Sequence, residues 1–300
     1  MTDNKYVEHG AEVAAPADFL YPLVAEATAA PLVFPGTVHV EFLAHTATEE
    51  RLRIWAVNGE NARNWTSHRR IDADGMRVTF GQEKPVPPVA SMVGQWHVEA
   101  LDEHRSKVTL SHTYQAVDGD AEGERWIANL VDMVSGGQLA AMTEFAGLGG
   151  RSALEFTDSV ELSCPVATAY AFVADPDRWA DAGVPVEQVK CRDAGAGIQL
   201  VDLVADGTEL SCARVGFENS HIGFKMLRGG PLAAGHTGTW TFEETQRGCR
   251  VGVRHVVAAR YPAASEVLGA QAGPDDVRAH LAETVPAVSA AVLRHLSTPR

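Results

Sequence analysis

Hydrophobic and polar positions alternate along much of this chain, and the alternation gives way to helical spacing at four places. In Val108, Leu110, His112 and Tyr114 every second residue faces one way, while Thr109, Ser111 and Thr113 face the other. The first set is the more apolar, so it predicts an inward face that carries His112 with it. Trp65, Ser67, Arg69 and Ile71 form a second inward set, with Thr66, His68 and Arg70 on the solvated side. The same two patterns return later as Val251, Val253, His255, Val257 and as Leu210, Cys212, Arg214. Helical spacing is read at Phe19, Leu20, Leu23, Val24 and at Tyr170, Phe172, Val173. Longer helical runs span Trp126 to Phe145 and Val277 to Leu296. Gly136-Gly137 and Pro286 interrupt them and predict a kink or a break.

The order of these elements repeats. Pro16 and Pro165, each closing a short strand before a helix, lie 149 positions apart. Gly94-Gln95-Trp96 is echoed by Gly238-Thr239-Trp240 at an offset of 144, His112 by His255 at 143, and Arg69 by Arg214 at 145. Anchors that keep their order and drift so little indicate a duplicated module. The expected organisation is α+β, with two tandem copies over residues 1–150 and 151–300. Gly147-Leu148-Gly149-Gly150 would form the link, since glycines favour turns. In each copy a curved antiparallel sheet would wrap a long closing helix and leave an interior pocket.

Composition narrows the function. Of 300 residues, 45% are apolar and 21% charged, which excludes wholesale disorder. The net charge of −14 repels phosphate backbones and anionic lipid, so nucleic acid and membrane surfaces are poor partners. No apolar run approaches a membrane span and no secretory signal is visible, which leads to an expectation of a cytoplasmic protein. The four cysteines form no CxxC pair and read as buried, apolar-like residues. No dinucleotide fingerprint, nucleophile elbow or calcium loop appears, so no cofactor and no metal are expected.

An arginine on an apolar stripe needs a partner, because its charge persists at any workable pH. Arg69 and Arg214 would anchor a ligand oxygen, sit in an internal ion pair, or lay the stem over apolar surface with the head at the barrel mouth. His112 and His255 are read either as satisfied core histidines or as pocket groups able to move a proton.

Trp65-Thr66-Ser67-His68-Arg69, the Trp96 strand, the His112 strand and the closing helix together resemble the aromatase/cyclases of bacterial type II polyketide synthases. These belong to the START-like, or Bet v 1-like, helix-grip group. The two tandem copies are similar to the di-domain members of that family. The resemblance implies a pocket in which Arg69, His112 and Ser67 carry catalysis. It implies walls from Trp65, Trp96 and Tyr114, with Thr37 where other members place an aromatic. Asp132, Gln138 and Met142 would contribute from the closing helix. The second copy departs from the motif, with Leu210 near the tryptophan position and Cys212 at the serine, but keeps Arg214, His255 and Trp240 as its pocket residues.

The resemblance further implies a poly-β-ketone substrate, reduced once by a ketoreductase and carried as a thioester on an acyl carrier protein. First-ring aldol closure with C7–C12 regiochemistry would be followed by dehydration to an aromatic ring, without metal or redox cofactor. Arg51, Arg53, Arg69 and Arg70 are the expected basic patch for docking the acidic carrier protein. Two other classes share this fold: a non-catalytic carrier of a hydrophobic ligand, and a chaperone that shapes the polyketide within the synthase.

Overall fold

The computed structural model describes residues 4–59, 61–148, 153–180 and 182–298. The chain divides into two compact units, residues 1–54 with 64–147 and residues 148–300 with 55–63. The expected domain junction at residue 150, with Gly149 and Gly150 of the link, lies outside the described residues. Gly147 closes the long helix of the first unit, its N–H on carbonyls of the last turn.

From its N-terminal end the chain forms strand β1 (Lys5–Val13), the short helices α1 (Ala17–Ala25) and α2 (Ala30–Val33), and then β2 (Thr37–His45) and β3 (Glu49–Asn58), whose last residues group with the second unit. Strands β4 (Asn61–Asp72), β5 (Arg77–Gln82), β6 (Val89–Ala100) and β7 (Ser106–Ala116) follow, and helix α3 (Ala121–Ala146) closes the first unit. The seven strands form one sheet in the order β1-β7-β6-β5-β4-β3-β2. The second unit repeats this with β8 (Leu154–Leu162), α4 (Val166–Ala174), β9 (Gln188–Gly195), β10 (Ile198–Ala205), β11 (Thr208–Phe217), β12 (His221–Arg228), β13 (Ala233–Thr245) and β14 (Gly248–Ala259). Its sheet runs β8-β14-β13-β12-β11-β10-β9, and α5 (Ala264–Leu268), α6 (Pro274–Thr284) and α7 (Ala287–Ser297) end the chain. No described helix is long and apolar enough to cross a membrane.

The alternation in the sequence sets these faces. Val108, Leu110, His112 and Tyr114 are all buried, as are Val251, Val253, His255 and Val257. Helix α3 starts at Asp120, whose carboxylate accepts the N–H groups of Glu122 and Gly123 and favours the positive end of the helix. Its buried face, Ile127, Val131, Ser135, Leu139 and Met142, follows the helical spacing.

Gly136 and Gly137 do not break α3, which runs unbroken for 26 residues. Burial of its apolar stripe outweighs the roughly 1 kcal/mol that each glycine costs a helix. Pro286 does separate α6 from α7, since its ring blocks the continuing turn.

Among the described residues of the first unit, two apolar clusters flank β7 and a third joins Ala27, Val40 and Leu52. Near the bottom of β7, Val108 and Leu110 pack with Leu139 and Met142, together with Val13, Leu20 and Trp96. Near its top, Tyr114 and Ala116 pack with Ile127 and Val131. The second unit has the same division: Val251 and Val253 with Ala291, Val292 and Leu293, and Val257 and Ala259 with Val277 and Leu281.

Candidate active site

Between the two apolar clusters that flank β7 the first unit carries a polar level. Its strand member is His112 (6% exposed) and its helix member is Ser135 (0% exposed). The Nδ1 of His112 and the hydroxyl of Ser135 both lack a hydrogen-bond partner. Burial, with a smaller contribution from His9, pushes the His112 imidazole down to about 4, so the ring is neutral near pH 7. The Phe80 ring stands edge-on to His112, with centroids 5.8 Å apart. Gly94 sits across from His112 on β6, and a Cβ there would fall 2.2 Å from Phe80. The tight approach of this ring accounts for glycine at that position.

His9 extends this level to the edge strand. Val7, next to it on the same face of β1, pairs with His112. The Nε2 of His9 lies 3.0 Å from the Asp132 carboxylate on α3, and its Nδ1 is buried without a partner. An open groove of about 650 Å³ runs beside it, lined by Gly10, Ala11, Gly136, Leu139 and Thr143. Asp132 is therefore a 60% exposed orienting group for His9 rather than an inward-facing wall residue.

A cleft of about 720 Å³ opens on strands β3 to β6, and Arg69, Glu50, Phe80 and Met92 are among its walls. Arg69 reaches it with a guanidinium that is already engaged. Its Nη2 donates to the carbonyls of Val24 (2.5 Å) and Ala25 (2.9 Å), and its Nη1 pairs with Glu50 at 3.1 Å. Those carbonyls belong to the last turn of α1, which has no following turn to bond them, so Arg69 caps that helix. Burial lowers the Arg69 pKa and Glu50 opposes the shift, which keeps the group charged. Of the readings offered by the sequence, the internal ion pair is present at Arg69.

Several expected site residues have other surroundings. Ser67 is buried, but its hydroxyl donates to the Gly81 carbonyl at 3.0 Å and ties β4 to β5. Trp96 stacks on Phe34 with ring centroids 5.9 Å apart, inside the apolar core. Met142 is fully buried in the same cluster. Trp65 and Gln138 are half-buried, and Thr37 opens β2 on the far edge strand. Tyr114 is buried above His112, and desolvation raises its phenol pKa. Three of the four arginines of the expected basic patch face carboxylates, Arg51 with Glu83, Arg69 with Glu50 and Arg70 with Glu49.

In the second unit Arg214 is only 3% exposed, and its Nη2 donates to Val173 in the last turn of α4. Trp240 lies in the apolar core. His255 is hydrogen-bonded on both sides: its Nδ1 lies 2.9 Å from His236 Nε2 and its Nε2 lies 2.9 Å from Ser289 Oγ. Phe224 stands edge-on to it at 5.4 Å, and Gly238 makes room for that ring as Gly94 does for Phe80. The four cysteines are free.

Sequence reasoning missed His9, Phe80, Ser135 and His236. His9 falls on the inward phase of β1, and Phe80 and Phe224 keep the offset of the repeat, so both had a signal. Ser135 and His236 gain meaning only from what lies opposite them.

Similarity to known proteins agrees with this architecture. The family described as polyketide cyclase / dehydrase and lipid transport matches residues 13–128 in one form and 153–298 in another. The granaticin polyketide synthase bifunctional cyclase/dehydratase of Streptomyces violaceoruber is 37% identical over 298 residues, covering 96% of this chain and 92% of that protein. The actinorhodin polyketide synthase bifunctional cyclase/dehydratase of Streptomyces coelicolor is 36% identical, covering 96% and 95%. The crystal structure of the di-domain aromatase/cyclase BexL from the BE-7585A pathway superimposes with a TM-score of 0.87 at 34% identity, covering 99% of this chain and all of that one. Sharing over a third of its positions with such proteins along nearly their whole length, and folded as two tandem helix-grip domains, the chain belongs to the polyketide cyclase/dehydratase family.

Proposed function

We propose that the first unit closes the first ring of a poly-β-ketone by an intramolecular aldol reaction and then dehydrates it towards an aromatic ring. The observation that carries this reading is the neutral, buried His112, whose Nδ1 has no protein partner. A methylene between two ketones is acidic enough to give its proton to such a base. The resulting enolate carbon attacks a second ketone of the same chain, joining C7 to C12. The alkoxide formed takes the proton back from His112, and loss of water follows by a second proton transfer. A confined pocket favours one closure among many by holding the two reacting carbons together.

An imidazole held at about 4 is a weak base in the empty site. Negative charge on the substrate beside it favours the protonated ring, so basicity rises as the enolate forms. The neighbouring His9, oriented by Asp132, is a second proton carrier on the same sheet face. Arg69 contributes a fixed cation to the cleft wall. With Nη2 on the α1 carbonyls and Nη1 paired with Glu50, the remaining N–H groups are its donors for a substrate oxygen. Ser67 has spent its proton on Gly81, so it holds β4 to β5 rather than donating to the substrate.

The substrate reaches this cytoplasmic enzyme as a thioester on an acyl carrier protein, already reduced once, with the synthase as its transient partner. The balanced charges at the cleft favour brief docking over a tight electrostatic complex.

Reconstitution with a minimal synthase and ketoreductase tests the reading. His112→Ala is expected to cut the correctly cyclised product roughly 100-fold while the protein stays folded. Unchanged product from His112→Ala would refute the catalytic assignment and leave a carrier or chaperone.

A further inference from the structure

The two units carry the same polar level and complete it differently. In each, a histidine on the strand next to the sheet edge lies between an upper and a lower apolar cluster. Tyr114 and Ala116 above His112 pack on Ile127 and Val131, whereas Val108 and Leu110 below it pack on Leu139 and Met142. The helix residue at the intermediate height, on the buried stripe, is Ser135. In the second unit Val257 and Ala259 pack on Val277 and Leu281, and Val251 and Val253 pack on Ala291 to Leu293. The helix residue at the intermediate height there is Ser289.

The second unit closes this level on itself. Ser289 gives its proton to the Pro286 carbonyl at 2.9 Å, so the ring it faces is the donor: His255 Nε2–H to Ser289 Oγ. The Nδ1 of His255 is then an acceptor and receives the Nε2–H of His236. Both ring nitrogens of His255 and the hydroxyl of Ser289 are used.

The first unit leaves its level unfinished. Met92 occupies the place of His236: Met92 pairs with Tyr114 and His236 with Val257, the corresponding strand positions. No second imidazole is there for His112. Ser135 does not bond back to its own helix, although Thr143 two turns on bonds the Leu139 carbonyl. A hydroxyl and a ring nitrogen are thus both buried and unpartnered on facing elements. Desolvating each without a hydrogen bond is costly, and native interiors seldom retain such a loss without a use for it.

We propose that Ser135 is a further substrate-contacting residue of the first unit, its hydroxyl binding an oxygen of the poly-β-ketone that His112 acts upon, and that the second unit has closed the equivalent site with His236, His255 and Ser289. The polyketide supplies what the first level lacks, since its ketones accept from Ser135 and its acidic methylenes and hydroxyls face His112. This rests on the proposed cyclase reading and extends it to one more side chain and to the division of labour between the units.

The test uses the full chain and two serine variants read in two ways. Ser135→Ala is expected to lower the correctly cyclised product about tenfold in the reconstituted synthase, the worth of one hydrogen bond formed in the transition state. Its melting temperature should hold or rise, because a buried unpartnered hydroxyl has gone. Ser289→Ala is expected to do the reverse, keeping the product and lowering the melting temperature by roughly 2–4 °C. A purely structural Ser135 would lower the melting temperature and spare the product, and that result overturns the proposal. Wild-type product from Ser135→Ala at any melting temperature overturns it too. His112→Ala run in parallel separates the two claims: loss of product there with no loss in Ser135→Ala defeats only the serine assignment, and no loss in either defeats the cyclase reading itself.

Discussion

Arg69 and Arg214 stand at the same position of the two sheets and perform the same structural task. Each sends Nη2 to the carbonyl of Val24 or Val173, in the last turn of the helix that follows the first strand. Their counter-charges differ. Glu50 faces Arg69 across the neighbouring strand, whereas Gln199 pairs with Arg214. Arg214 accordingly has buried Nε and Nη1 groups without partners, and its charge lies 5.8 Å from the face of Trp179. The histidine level shows the opposite imbalance, unfinished in the first unit and closed in the second. Duplication preserved the scaffold and let the satisfaction of its polar groups diverge. The open hydrogen-bonding atoms thus lie at the histidine level in the first unit and at the arginine in the second.

The largest expected effect tests the arginines as a pair. Arg69→Ala removes the cap of α1 and leaves Glu50, itself 12% exposed, without its cation, which should cost about 3–5 kcal/mol in chemical denaturation of the full chain. Arg214→Ala abandons no carboxylate and should cost clearly less. Equal losses would break the comparison. The consequence for enzymology is that a drop in activity of Arg69→Ala measures folding and chemistry together.

Acidification should come next. His112 and His255 are held at about 4 and His236 at about 3 in the folded protein, below the ordinary value of 6.5. Between those values the unfolded chain binds more protons than the folded one. Stability is therefore full above about 6.5 and falls as the pH drops towards 4, at no more than roughly 1.4 kcal/mol per pH unit for each histidine. Denaturation curves at pH 7, 6 and 5 measure the slope. Replacing His236 and His255 together with apolar residues should flatten it, and an unaltered slope would contradict the burial argument.

Gln199→Glu sharpens the arginine comparison by giving Arg214 the partner that Arg69 has. The expected gain is about 1 kcal/mol, seen as a rise of roughly 2–4 °C in melting temperature. A fall would mean that desolvating the new carboxylate outweighs the pairing. The smallest effect is expected from Met92→His, which places an imidazole where the second unit has His236. Stability should change by less than about 1 kcal/mol, and the His112 ring signals in NMR should shift as Nδ1 gains a donor.

The chain's own pattern determined much of this. Strand alternation placed His112, His255, Arg69 and Arg214 on inward faces, and the ordered anchors announced a duplicated module, because backbone geometry sets which side a residue faces locally. The glycine that recurs before each tryptophan was legible as an anchor, and its reason, a phenylalanine ring against the histidine, came with the fold. Partners were a different matter. Arg69 meets carbonyls some 45 residues away, and His9 meets Asp132 at a separation of 123. Whether a buried donor is capped, paired or left open depends on which distant group arrives beside it. Tertiary packing alone decided that Arg69 is a clamp, that Trp96 and Met142 fill the core, and that His112 and Ser135 stay unpaired while their counterparts bond each other.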